Sequence, residues 1–592
     1  MSLYAEQRGA LIASYAGFAE VMPAEPPASA PVAPTSAAER RGLLRVSANN
    51  HAAFLMILGW GDGTLVEEVS TDPLLRQKNV LVVAFEGEQD AFAASFRRPI
   101  LPALRGTGIS IVWIRRDEDV GAITRQRFGA HPDIPQLAGC DVVDGHPLTV
   151  PAQASRARWR DALMTALSDR PQAFGNDIGD SFTGLAHCAA NARTLMPAPG
   201  NEQLRGLYGR APAISIAAGP SLKRHIPRLR ELQDRCVLVA CDAVLHGLLA
   251  EGIVPHFVTP LERLKETAKM VAEVGPTRTV FAGLPVVHED TLAPFAGRAV
   301  CICVGDQVYD WMFPERRHAI MAGSSSGVLS VSVAGLLTDG PVYMIGHDLS
   351  RDGEASHWTG SGFAAGFWKK IKDGASKGAV WQGGYEDRVV PRNGGGQVPS
   401  ITWWDRFRNE IGAVSLVLSR SGRGVHNVNA HDGIGAVIEN STAAPLPEPA
   451  SLPLLPDTPL PPRDASRLDQ WRGRASRLHE DGDALRAHMR ALRADIAAAK
   501  RLPPDQWPID ELTARAGITE CVSEGNRCAF TYFLRSALNN CLSDLHRRRR
   551  TSSTARSRWH ALNGIDGFAH ALENALTTLA PQLKEIADGA AN

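Results

Sequence analysis

Four short stretches of this 592-residue chain carry residue types that could grip a phosphate and move a proton beside it. The first is Ala218-Gly219-Pro220-Ser221-Leu222, at the end of the apolar run AISIA. Gly219 lets the backbone turn and approach a ligand without a Cβ, and Pro220 presets a helical φ for a first turn. Ser221 can cap that helix or offer its hydroxyl, and the amides and positive end of a helix suit a phosphate. An ordinary capped strand–helix turn is the alternative. The second is Asp242, just past the run CVLVA, where a carboxylate can accept ribose or base hydrogen bonds or simply start a helix. The third, Gly323-Ser324-Ser325-Ser326-Gly327, sets three hydroxyls and two glycines ahead of the apolar segment VLSVSVAGLL, an anion site if it is more than a flexible loop. The fourth is Gly346-His347-Asp348-Leu349 with Ser356-His357 downstream. An acid and two imidazoles there could provide a general base, or form a hydrogen-bonded structural cluster.

These stretches need a scaffold that brings distant loops together, and the periodicity supplies one. AISI, CVLVA, HFVT, RTVFAG, AVCICV and PVYMI recur with helical patterns between them, and Gly252 and Gly340 stand where helices should stop. Apolar strands alternating with helices predict a parallel sheet covered on both faces, whose ligands gather at the carboxyl ends of the strands. An N-terminal α/β unit is expected at 40–195. There FLMILGWGDG and NVLVVAFE outline a β-α-β nucleotide-binding unit, with Gly59, Gly61 and Gly63 in the turn and Glu86 at the second strand's end. Its spacing is not the strict G-x-G-x-x-G, and Trp60 and Asp62 would crowd a phosphate, so a scaffold without ligand is the alternative reading.

Residues 1–39 read as a helical and Pro/Ala-rich flexible lead-in, 196–440 as the central domain, and 441–463 as a linker. Pro445, Pro447, Pro449, Pro453, Pro456, Pro459, Pro461 and Pro462 there predict an extended spacer that is neither helix nor sheet. From 464 to 592 the pattern is helical, with three amphipathic segments suited to a hairpin or small bundle. Arg547–Arg550 end one of them, as arginines complementing a helix dipole do.

Composition narrows the function classes. Lys+Arg and Asp+Glu both number 63, so formal net charge is zero and no whole-chain case for nucleic acid exists. Nine scattered cysteines without a C-x-x-C pair predict reduced buried thiols. Charges at Glu6, Arg8 and Glu20 interrupt what a signal peptide would need, and no uncharged apolar run is long enough to span a membrane. The expectation is a cytoplasmic protein.

Taken in order, the motifs resemble the motility-associated factor family, whose central domain is also called 6-hydroxymethylpterin diphosphokinase-like. That family's strand into G-P-S-L reads here Ala218–Leu222, its A-D strand end Ala240 to Asp242, and its G-I-x-P turn Gly252-Ile253-Val254-Pro255-His256. Its serine turn reads Gly323–Ser326, its G-Q-D-L reads Gly346–Leu349 with Ser356-His357 after it, and its closing Asn–Gly segment reads Val428–Gly435 with Asn429. The N-terminal unit is similar too. His256, Glu262, His347, Ser325 and Ser326 depart from the commoner residues at their positions.

The resemblance implies a Rossmann-like, sialyltransferase-like central domain, a smaller α/β N-terminal domain and an α-helical C-terminal domain. It also implies transfer of a nonulosonic acid, of pseudaminic or legionaminic type, from a CMP-activated donor to Ser or Thr of flagellin, with inversion. On that reading Gly219, Pro220 and Ser221 cradle CMP, and Asp242, Glu262, His347 and Asn429 line the donor site. Ser324, Ser325 and Ser326 hold phosphate or the sugar carboxylate, and Asp348 or His357 serves as base or orienting group. No cofactor is implied beyond the CMP-nonulosonic acid itself, and no metal residue is assigned; a divalent cation held by carboxylates such as Asp242 and Glu262 belongs to the pterin reading that follows. The helical tail would dock flagellin or form an oligomer. Two other readings stay open: pyrophosphoryl transfer to a pterin, and a non-catalytic flagellin-binding assembly factor.

Overall fold

The computed structural model describes residues 2–14, 18–27, 54–72, 75, 79–85, 87–104, 109–114, 141–144, 160, 178–275, 277–305, 307–313, 318–353, 355–362, 387–516, 522–523, 526–527, 529–530 and 554–588. Glu86, Arg547–Arg550 and most of the second predicted C-terminal helix lie outside the described residues. The chain divides into two compact units, residues 1–181 with 481–578 and residues 182–480 with 579–592.

The first unit holds a four-stranded parallel sheet. Its strands are β1 (Phe54–Leu58), β2 (Asn79–Phe85), β3 (Ile109–Ile114) and β4 (Asp141–Asp144), in the order β3-β2-β1-β4. Leu55 to Leu58 and Val80 to Phe85 are all buried, which is why both runs are apolar throughout rather than alternating. Between β1 and helix α1 (Thr64–Thr71) the turn carries Gly59, Gly61 and Gly63 at φ of 102°, 62° and 81°.

That turn has the expected Rossmann outline, yet its amides are already filled. The Glu88 carboxylate accepts from Trp60 N at 3.0 Å, from Gly61 N at 3.1 Å and from Phe85 N at 3.0 Å. Trp60 lies inside the core, its ring 4.7 Å from Phe92 and 5.5 Å from Phe96 between centroids, with its indole N–H on Ser95. Where a dinucleotide-binding loop would offer backbone donors to a phosphate, this one holds its own acid.

The second unit is built on eight parallel strands. They are β5 (Ala213–Ile216), β6 (Val237–Cys241), β7 (Phe257–Thr259), β8 (Val280–Gly283), β9 (Ala299–Cys301), β10 (Val342–Ile345), β13 (Val425–Asn427) and β14 (Thr442–Ala443). A separate antiparallel hairpin, β11 (Asp387–Pro391) and β12 (Gln397–Ile401), intervenes in sequence. The order is β14-β13-β10-β5-β6-β7-β8-β9. From β5 the chain steps outward through β6 to β9, then returns to place β10 on the other side of β5. The strand order therefore reverses between β5 and β10, and a crevice opens at the carboxyl ends of two such strands.

Four helices frame that edge: α2 (Leu222–Leu232), α3 (Ser326–Leu337), α4 (Thr402–Arg420) and the short α5 (Val428–His431). Every residue of α3 from Val328 to Leu337 is buried, as its mainly apolar sequence requires, and the Ser330 hydroxyl within it donates to Gly327 O. The proline-rich stretch, expected to be neither helix nor sheet, departs from that at the short strand Thr442–Ala443 and a 3-10 turn at Pro449–Ser451. The rest is extended and held to the domain: Thr442–Ala443 joins the sheet beside β13, Leu446 is buried in the core, and Leu455 N donates to Asp234 O at 2.8 Å. The expected tail helices are present as Ser466–Ala499 and Thr554–Ala587.

Candidate functional site

The turn after β5 and the turn after β10 meet at the strand-order reversal. Gly219 N donates to Gly346 O at 2.8 Å, and Trp358 N donates to Ala218 O at 2.7 Å. A Cβ on Gly219 would lie 2.5 Å from both Asp348 Oδ1 and Gly346 O, so glycine is required here by close approach. Pro220 is half-buried.

Asp348, 4% exposed, is the hub of this junction. Its Oδ2 accepts from Ser221 N at 2.8 Å, and its Oδ1 accepts from Ser221 Oγ at 2.5 Å and from Asn429 Nδ2 at 2.7 Å. Ser221 thus does not cap α2: its hydroxyl hydrogen goes to the carboxylate. Burial raises the Asp348 pKa, and the hydrogen bonds from Ser221 and Asn429 offset only part of that rise. With three donors converging on it, Asp348 ties β5, β10 and α5 together across the crevice. Asn427 caps α5 by accepting from Ala430 N at 3.3 Å, which sets Asn429 in place.

A second junction lies one strand over. Asp242, 7% exposed, follows β6; its amide donates to Ser326 Oγ at 3.2 Å and its Oδ1 accepts from Ala243 N at 2.8 Å. Ser326 Oγ in turn donates to Thr259 O at 2.5 Å, joining the ends of β6 and β7 to the first turn of α3. Burial raises the Asp242 pKa to about 6, against the opposing hydrogen bonds of Ser326 and the backbone amides. A buried carboxyl group pushed up toward neutrality, one strand over from the strand-order reversal, is the kind of group on which a candidate site is built.

The serine turn is brought to the same edge, with its three hydroxyls sent separate ways. Ser324 gives both its N–H (2.8 Å) and its O–H (2.7 Å) to Glu410 on α4, Ser325 caps α3 by accepting from Val328 N at 3.2 Å, and Ser326 serves Asp242 and Thr259. Glu410, Thr259 and Trp358 carry no sequence signal of their own; only the fold shows what they hold.

His357 is half-buried next to Trp358, with Nδ1 at 3.0 Å from Ser356 Oγ and its ring 6.1 Å from that of Trp404. Burial lowers its pKa to about 4, so it is neutral at pH 7. The segment bearing it crosses the ends of β5 and β6, held at Ala218 O and, through Gly362 N, at Ala243 O. His347, 2% exposed, bonds Ser215 through Nε2 at 3.0 Å, and burial lowers its pKa to about 4 as well. Glu262 is half-buried three residues past Thr259. His256 stands at the amino end of β7, where its Nδ1 accepts from Leu238 N at 3.1 Å; that is the opposite end of the strand from the crevice. Among the described residues, no group of three or more His, Cys, Asp or Glu gathers as a metal-binding set, and no helix is long and apolar enough to cross a membrane.

Residues 187–354 match a family model described as MptE-like, 6-hydroxymethylpterin diphosphokinase MptE-like. No curated protein sequence matches at a significant level. The structure of the MAf glycosyltransferase from Magnetospirillum magneticum AMB-1 superposes with a TM-score of 0.55 at 18% identity, covering 98% of this chain and 89% of that one. The chain thus carries an MptE-like domain over residues 187–354 within an α/β fold that it shares with that glycosyltransferase.

Proposed function

We propose that this protein is a nucleotide-sugar-dependent glycosyltransferase, moving a nonulosonic acid from a CMP-activated donor to a Ser or Thr hydroxyl of flagellin in the cytoplasm. One observation carries the reading: the Ser221–Asp348–Asn429 junction lies where the strand order reverses, and the Asp242–Ser326 junction lies one strand over on the same carboxyl edge. This occurs in a chain that shares nearly its whole fold with a MAf glycosyltransferase.

In this reading the acceptor oxygen forms a bond to the anomeric carbon as the bond from that carbon to the phosphate oxygen breaks. CMP leaves with the electron pair, and the configuration inverts. The first-turn amides of α3, at Ser326 and Gly327, face the leaving phosphate as helix N-terminal donors. Asp242 accepts from the donor's hydroxyls. His357, neutral at pH 7, takes the acceptor proton. Asp348, its oxygens taken up by Ser221 and Asn429, orients the Gly219–Ser221 turn. A second reading, pyrophosphoryl transfer to a pterin, is favoured by the family description of residues 187–354. It would use Asp242 and Glu262 to hold a divalent cation.

The test is to incubate purified protein with flagellin and CMP-activated nonulosonates and to measure intact flagellin mass. A mass increase of one sugar residue per modified site is expected. Flagellin bound tightly with no mass change would instead identify an assembly factor, and AMP released from ATP with a pterin would identify a pyrophosphokinase.

A further inference from the structure

His347 sits at the head of a buried chain of hydroxyls whose hydrogens can be counted. Ser330 Oγ is 2.8 Å from Gly327 O, and a carbonyl only accepts, so Ser330 spends its one hydrogen there. Ser330 Oγ is also 2.7 Å from Ser215 Oγ, so in that contact Ser215 is the donor. Ser215 Oγ has then no hydrogen left for His347 Nε2, 3.0 Å away, and must accept from it. The hydrogen therefore resides on Nε2. Ser215 and Ser330 are fully buried and His347 nearly so.

The chain of bonds runs from the end of β10, through the middle of β5, into the first turn of α3. Its last acceptor is the carbonyl of Gly327, in the turn that faces the crevice. The imidazole also packs there, with Cε1 3.7 Å from where a Cβ on Gly327 would stand. We infer that His347 is a positioning residue: as a neutral Nε2–H donor it fixes the first turn of α3 against the β5–β10 crevice through Ser215 and Ser330. It neither takes a proton from substrate nor carries charge to it. The lowering of its pKa by burial agrees with the neutral form.

The role in affinity rests on the proposed nucleotide site; the tautomer and the mechanical role do not. The test therefore has three readouts on the full-length protein. The first is long-range ¹H–¹⁵N correlation of ¹⁵N-histidine protein, with the His347 signals assigned by their loss in His347→Gln. It should show Nε2 protonated and no titration between pH 5 and 8. The second is thermal unfolding, in which His347→Leu, unable to donate, should melt well below His347→Gln, whose amide N–H₂ can still reach Ser215. The third is CMP affinity by calorimetry, where the Leu variant should lose about tenfold, the worth of one buried hydrogen bond, and the Gln variant should recover most of it.

An Nδ1–H tautomer, a ring titrating near its ordinary pKa, or a Gln variant as impaired as the Leu variant would each overturn the inference. If the wild-type protein binds no cytidine nucleotide, the proposed function fails. The tautomer and the Leu-against-Gln melting difference still decide the role of His347.

Discussion

Replacing Asp242 by Asn should stabilise the protein at neutral pH while removing its activity, and the size of the effect can be worked out. In the folded state burial raises this carboxyl from the ordinary 3.8 to about 6. Between those values the folded protein holds a proton that the unfolded chain has released, so stability falls as pH rises through the window and is flat above it. The displacement is roughly two pH units at ~1.4 kcal/mol each, so the ionised carboxylate costs about 3 kcal/mol above pH 6. Asn keeps an oxygen to accept from Ala243 N, without the charge.

Any pH-independent effect of the substitution cancels when the two proteins are compared at two pH values. Between pH 4.5 and 8 the Asn variant should therefore gain about 2 kcal/mol on the wild type, a relative rise of roughly 4 °C in melting temperature. Thermal unfolding of both proteins across that range measures it. A melting-temperature difference that stayed constant with pH would refute the reasoning, because it would mean that the carboxyl is not desolvated in the fold. In the transfer assay the same variant should be inactive. The wild type should lose activity as pH falls through about 6, as Asp242 takes up its proton.

Gly219→Ala would force a Cβ to within 2.5 Å of Asp348 Oδ1 and the Gly346 carbonyl, against rigid backbone. A loss of about 1–3 kcal/mol is expected in denaturant unfolding, with nucleotide binding lost alongside. Asp348→Asn would replace one carboxylate oxygen by an N–H₂ facing the donors of Ser221 and Asn429. It should cost about 1–3 kcal/mol and speed hydrogen exchange at the Ser221 amide, while flagellin capture in a pull-down persists. Glu88→Gln should destabilise the N-terminal sheet by about 2 kcal/mol, since three buried amides lose a charged acceptor, and should leave CMP affinity unchanged because that cradle serves the fold.

Much of the architecture was legible in the sequence because it is local. Runs such as VLVAC and VYMI are apolar at every position, which only a strand covered on both faces tolerates, and all of β6 is indeed buried. The turn residues were legible for the same reason: Gly346, at φ 68°, and Gly219, against Asp348, have to be glycine. A glycine- or serine-rich turn shows its donors in the local sequence, but not which acceptor the fold brings to them. In three places the protein supplies the anion itself: Glu88 on Trp60 and Gly61, Asp348 on Ser221, and Glu410 on Ser324.

Spacing along the chain therefore determined the elements, their parallel arrangement and the set of residues at the carboxyl edge. It could not pair Ser221 with Asp348, 127 positions away, or Ser324 with Glu410, 86 away. Those partners were decided by strand order, which brings β10 back beside β5, and by burial, under which an amide or carboxylate left unpaired costs more than the chain can tolerate. The protonation of Asp242 and of both crevice histidines was likewise set by burial in the tertiary fold, since desolvation depends on neighbours that the local sequence does not specify.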